Sequence, residues 1–313
     1  MSETEPRRRL RRWGIPVLIA VAAIVLLYYP IGMLIVHRID DDTAYQLPAN
    51  AVPPGGSRAV AMAAALINRE VNENRWVAND PFFMPGAMLD NMPHFQLGII
   101  AALGRFSFEL TDQLGRTRGS SQTDPDLQEA SGLLQYSGTK WVFDFSTSMM
   151  PTAAAEQQYR KALVSLMNYN RRLSDGKAVF EKRTDNLMAV LDRISLDLGS
   201  ASAALDQQVR QHSGLWDFEA DDLFYTAKGK AYAYYLLLRE LRADFDSLPR
   251  ETEIGPAFAQ MLQSLQEAAS LHPLVVINAK PDALILPSHL TGLGFFILRA
   301  RTQMREINGI LQR

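Results

Sequence analysis

The sequence predicts an all-α protein: one N-terminal transmembrane helix, then a multi-helix bundle that includes one long heptad-patterned helix. Three observations carry this. No charged residue occurs between Trp13 and Val36. Apolar residues recur at three- and four-residue spacing through most of the remaining chain. No run alternates long enough to make a paired strand.

The apolar run WGIPVLIAVAAIVLLYYPIGMLIV spans residues 13–36. As a helix it measures roughly 36 Å, enough to cross a hydrocarbon core of about 30 Å with some tilt. It is too long for the apolar part of a cleaved secretory signal, and Tyr28, Tyr29 and Pro30 make a poor peptidase site. Pro16 is expected in the first helical turn, and Pro30 to kink or end the helix near Tyr29. Residues 1–12 carry five arginines against Glu3 and Glu5, whereas His37 and Arg38 after the span are followed by Asp40, Asp41 and Asp42. The positive-inside rule puts residues 1–12 in the cytoplasm as a basic tail, 13–36 in the lipid bilayer, and the rest outside. A dozen arginine-rich residues are too few to fold into an output module, so signal transduction by this chain alone is not expected.

Residues 37–58 hold prolines and glycines without helical periodicity and read as a linker lifting the domain off the bilayer. Residues 59–313 then form the extracytoplasmic helical domain. Helices are expected over 57–71, 92–115 (Phe95, Ile99, Leu103, Phe106 and Leu110 on one face) and 125–135, capped by Asp124 with Pro125 at the first position. From Tyr159 to Leu205 the apolar register runs by fours and threes across Asp175 and Gly176. That continuity favours one long helix kinked at Gly176 over a hairpin. Further helices are expected over 220–245, 254–271 and 288–311, with Tyr232, Tyr234 and Tyr235 in the core. Leu274–Asn278 is a short β-prone run with no obvious partner.

Composition narrows the chemistry. There are no cysteines, so disulfides, thiolate metal sites and cysteine nucleophiles are excluded. Outside the tail the chain has 27 basic and 32 acidic side chains, a balance that repels phosphate backbones; no nucleic-acid partner is expected. The five histidines (37, 94, 212, 272, 289) show no zinc spacing, and no phosphate loop, dinucleotide fingerprint or nucleophile elbow occurs. No metal and no cofactor is therefore expected, short of a metal site assembled through space. Two weak candidates remain. Glu109 and Asp112, one turn apart, are candidate catalytic carboxylates, because glycan cleavage needs an acid and a second carboxylate; ion pairs with Arg105 or Arg116 account for them equally. Arg116 and Arg118, flanking a Gly-Ser run, are candidate anion-binding residues or a polar loop paired to Asp124 or Asp126. Asp221 and Asp222 read as acidic residues favoured at a helix start.

The segments WVANDPFF (76–83), DNMPHFQLGII (90–100), RFSFELTDQLGRTRGSSQTDPDL (105–127), TDNLMAVLDRISLDLGSASAALD (184–206), AYAYYLLLREL (231–241) and RARTQMREI (299–307) resemble a family of bacterial inner-membrane proteins known only as a domain of unknown function. The resemblance covers most of the chain and implies a bacterial inner membrane, hence a periplasmic domain. It implies no activity, substrate or catalytic residue. Two functional expectations follow: a periplasmic scaffolding domain that binds another envelope protein, or an anchored hydrolase acting on cell-wall glycan or lipid.

Overall fold

The computed structural model describes residues 5–115, 122–143, 150–211, 217–246, 251–280 and 286–313, with side chains from residue 16 onward except at 218, 251 and 252. Among them are α1 (Glu5–Val36), α2 (Arg58–Asn68), α3 (Asn91–Glu109), α4 (Pro125–Leu134), α5 (Ala155–Ser174), α6 (Thr184–Gln211), α7 (Phe218–Asp244), α8 (Glu251–Ala269) and α9 (His289–Leu311). No strand occurs among the described residues; the β-prone run 274–278 makes one isolated bridge, Asn278 to Ser288.

The window Pro16–Val36 of α1 is long and apolar enough to cross a membrane, and none of it is buried in protein. Two expectations about it are corrected. The helix begins at Glu5, so Pro16 is not in the first turn, and Pro30 neither ends nor interrupts it. Each proline removes one backbone hydrogen bond. Breaking the helix would leave still more backbone groups unsatisfied, so continuation is the cheaper outcome.

The bundle is organised around α7, where every residue from Ala231 to Leu238 is buried. Against it lie α3, α8, α2 and α6, with α9 closing α6 and α8, and α4 and α5 covering α2 and α3. The α3–α7 contact is unusually close. A Cβ on Gly98 would sit 2.2 Å from the Thr226 carbonyl oxygen, and one on Gly229 would sit 2.2 Å from that of Phe95. Only glycine permits backbones to touch this way. Helix α2 is buried on almost every face because alanine fills it: Ala59, Ala61, Ala63 and Ala64 are all covered.

The expected single helix across 152–211 is corrected to two, α5 and α6. Gly176 takes φ +68°, its N–H donates to Leu173, and Lys177 N–H donates to the Arg172 carbonyl. This is a Schellman stop, in which a left-handed glycine closes the last turn. The heptad register continues across the break because both helices turn their apolar seams to the same core. Thus α6, at 28 residues, is the longest described helix outside α1 and shares the heptad pattern with α5.

The segment 37–57 is irregular. It packs along α7 from Lys228 to Asp244. Tyr232 donates its hydroxyl to the Asp42 carbonyl (3.1 Å), and Arg239 donates to the carbonyls of Thr43 (3.3 Å) and Tyr45 (2.6 Å). At the far end Asp244 takes three donors from the start of α2: Ser57 Oγ at 2.7 Å, Arg58 N at 2.8 Å and Ala59 N at 3.0 Å. A carboxylate there satisfies orphan N–H groups and suits the positive helix end.

Candidate functional site

Ionisable side chains concentrate where α1, the strap 37–58 and the N-terminal halves of α3 and α7 meet. Lys228 is 1% exposed and yet charged groups surround it: its ammonium donates to Asp41 and to the Leu271 carbonyl (2.7 Å), with His272 Nδ1 3.5 Å away. Burial pushes its pKa down, opposed by Asp41. One helical turn on, Arg69 is sandwiched between the rings of Tyr45 and Tyr232 (5.3 and 5.0 Å to the centroids) and pairs with Glu70 at 2.8 Å. Burial pushes the Glu70 carboxyl up, and Arg69 and Gln96 oppose it. Arg69–Glu73 is a single π-helical turn that continues α2. These groups hold the strap: Lys228, Arg69 and Glu70 are buried, whereas His272 stands largely exposed.

The open part of this region is the cluster Asp90, His94, Asp221 and Asp222. Asp90 precedes α3, His94 stands in its first turns, and Asp221 closes the first turn of α7 with Asp222 directly after it. His94 Nε2 lies 3.1 Å from Asp222 Oδ1, and His94 Nδ1 lies 3.4 Å from Thr226 Oγ1. The ligand atoms of Asp90, His94 and Asp222 all fall within 4.8 Å of one another. Two carboxylates and one imidazole are a ligand set that hard or borderline divalent cations accept. The same atoms also satisfy one another as a His–Asp pair. Asp221 is pushed up to about 6, first by burial, then by Asp90 and Asp222. Asp222 is likewise pushed up to about 6 by burial, with His94 pulling against it. Both therefore change protonation in the mildly acidic range.

Sequence reasoning assigned Asp221 and Asp222 to the helix start, where they do lie, but missed their meeting with His94. The usable signal was Asp90 and His94 at i and i+4, which places both on one helix face. The sequence candidates fare differently. Glu109 is 1% exposed and lies 2.7 Å from Arg105 on the preceding turn of α3. Burial pushes its carboxyl up, with Arg105 and Arg193 opposing. A general acid must reach its substrate, and a side chain this enclosed has no path to a glycosidic bond. Asp112 lies in the π-helical turn Leu110–Leu114 after α3, half-buried. Arg116 and Arg118 lie outside the described residues. Asp124 and Asp126 both accept from Arg172.

A second concave feature is an open groove of about 470 Å³ between α6 and α9. Small residues floor it (Gly199, Ala203, Gly294), Leu205 and Phe295 supply its apolar walls, and Arg301 closes one end. Arg301 is held by a hydrogen bond of 2.9 Å to the Ser195 carbonyl, packed where a side chain on Gly199 would collide with it.

Residues 46–215 match the family described as "Uncharacterized protein conserved in bacteria (DUF2333)". No curated protein and no solved structure matches the chain.

Proposed function

We propose that this chain, which belongs to the bacterial DUF2333 family, is a membrane-tethered scaffolding protein of the cell envelope. In this reading the chain is held in the bacterial inner membrane by α1, its basic N-terminal tail stays in the cytoplasm, and residues 37–313 form a periplasmic module that binds another envelope protein. Support for the anchor comes from an apolar helix whose spanning window holds no buried residue; support for its direction comes from the arginines of residues 7–12 against the aspartates at 40–42.

The observation that carries the scaffolding role is the α6–α9 groove. Its floor of small residues admits the backbone of a helix, and Phe295 and Leu298 stand 58% and 52% exposed on its rim. Apolar side chains flanking such a channel are what an amphipathic helix of a partner uses as anchors. A photoreactive amino acid at Leu298 tests this in living cells. It should give one discrete protein adduct that Ala203→Trp, which fills the channel, abolishes. No adduct at Leu298, or one that Ala203→Trp leaves untouched, would remove the groove as the binding surface. The hydrolase alternative gains nothing from the buried, arginine-paired Glu109.

A further inference from the structure

We infer that the loop Pro81–Leu89 is itself a membrane-inserted element, seated among the lipid acyl chains beside α1. The inference rests on the reading of α1 as a membrane span and adds a second contact, made by the folded domain.

The loop is fixed against α1 well inside its end. Tyr29 donates its hydroxyl to the Phe82 carbonyl at 2.8 Å, and Tyr28 donates to the Phe83 carbonyl at 3.1 Å. Higher on the same face a Cβ on Gly32 would meet the Pro85 ring at 2.5 Å, so helix and loop are in direct contact there. Tyr29 precedes the end of α1 by seven residues, or about 10 Å of helix. Over that interval α1 keeps bare apolar side chains: Ile31, Leu34 and Ile35 are 51%, 82% and 78% exposed. Those side chains belong in lipid, which must then extend past the level of Tyr29. Phe82, tied to that level, lies below the lipid surface.

The loop is built for that place. Nine consecutive residues, PFFMPGAML, carry no charge. Phe82 is 83% exposed, Met88 61% and Phe83 45%, a concentration of apolar surface that water would penalise. Irregular backbone open to acyl chains is disfavoured, and at membrane depth it is tolerated where protein covers its polar groups. Here Pro81 and Pro85 have no N–H to satisfy. Met84, Ala87 and Leu89 donate within the loop, to Pro81, Met84 and Gly86, and the two tyrosines serve the carbonyls of Phe82 and Phe83. Alongside, Phe83 meets Trp141, which in turn meets Phe143, each with centroids 5.6 Å apart. Such aromatic groups concentrate at the headgroup level.

The cysteine-free chain makes the test direct. Single cysteines at Phe82, at Leu26 in α1 and at Lys177 at the opposite end of the bundle are labelled with an environment-sensitive fluorophore. The full-length protein is then reconstituted in phosphatidylethanolamine–phosphatidylglycerol vesicles. Phe82 and Leu26 are both largely exposed, and Phe82→Cys gives up an edge contact with the Phe83 ring. Acyl-chain nitroxides should quench Phe82→Cys about as well as Leu26→Cys and several-fold more than Lys177→Cys, while aqueous iodide should reach only Lys177→Cys. Quenching of Phe82→Cys by iodide, with Leu26→Cys still quenched from the lipid, would overturn the inserted loop and leave the anchor standing. Protection of Phe82→Cys from both quenchers would overturn it in favour of a protein occupant, such as a second copy. Failure of lipid quenching at Leu26→Cys would remove the anchor and the inserted loop together.

Discussion

Gly98 of α3 and Gly229 of α7 each face the other helix's backbone, and a methyl group on either would overlap a carbonyl oxygen at 2.2 Å. Because the obstacle is main chain, neither helix can yield locally; they must separate. Gly229→Ala should therefore cost about 3 kcal/mol, at the upper end of overpacking effects. Gly292→Ala, where a Cβ meets nothing within 4 Å, should be neutral or slightly stabilising. Urea unfolding of the two variants in detergent, followed by circular dichroism, separates them; equal midpoints would sink the close-crossing argument.

Lys228 and Asp41 fasten the strap to the buried face of α7. Removing the lysine leaves a carboxylate enclosed without its cation, which typically costs about 3–5 kcal/mol when both partners are well buried. Lys228→Ala should lower the unfolding midpoint and open the strap to trypsin at Arg38 and Arg58 under conditions where the wild type is resistant. An unchanged digestion pattern would mean that Tyr232, Arg239 and Asp244 hold the strap without Lys228.

The acidic cluster predicts a stability profile with a definite sign. Asp221 and Asp222 titrate near 6 in the folded chain against an ordinary value of 3.8, so between pH 4 and 6 the native state holds more protons than the unfolded one. Stability then falls as pH rises through that window, and the full penalty is present above it. Asp221→Asn removes a charge that burial and two neighbouring aspartates disfavour. It should raise the melting temperature at pH 7.5, leave it nearly unchanged at pH 4.5, and flatten the slope between them. A variant less stable than the wild type at pH 7.5 would contradict the assignment.

The helix stop at Gly176 depends on a left-handed residue with open space around it. Gly176→Ala should cost about 1–2 kcal/mol, the penalty of placing a Cβ in that region, and Gly176→Asn less. If the alanine variant is as stable as the wild type, α5 and α6 are not separated by this turn.

Much of the architecture was legible from local rules. Ser57, Asp124 and Ser288 each cap the helix that periodicity predicts, and the apolar faces of α3 and α7 to α9 point inward as their spacing requires. The break between α5 and α6 was written in Asp175 and Gly176, but the seam on either side kept the same phase, and phase reports which face is buried rather than whether the backbone continues. The strap was misread for a different reason. Its holding side chains, Lys228, Arg239 and Asp244, sit almost two hundred positions downstream, so no local pattern in 37–58 betrays the docking. His94 and Asp222 likewise meet only because two glycines let α3 and α7 touch; the chemistry of that cluster is a consequence of the crossing, invisible until the helices are assembled.

The course of the strap along α7 has a mechanical consequence. Its contacts at Lys228, Tyr232, Arg239 and Asp244 succeed one another along the helix, so tension arriving from α1 is shared in shear across the whole row instead of peeling one bond at a time. The strap therefore couples α1 to the bundle as a stiff lever rather than as a slack leash.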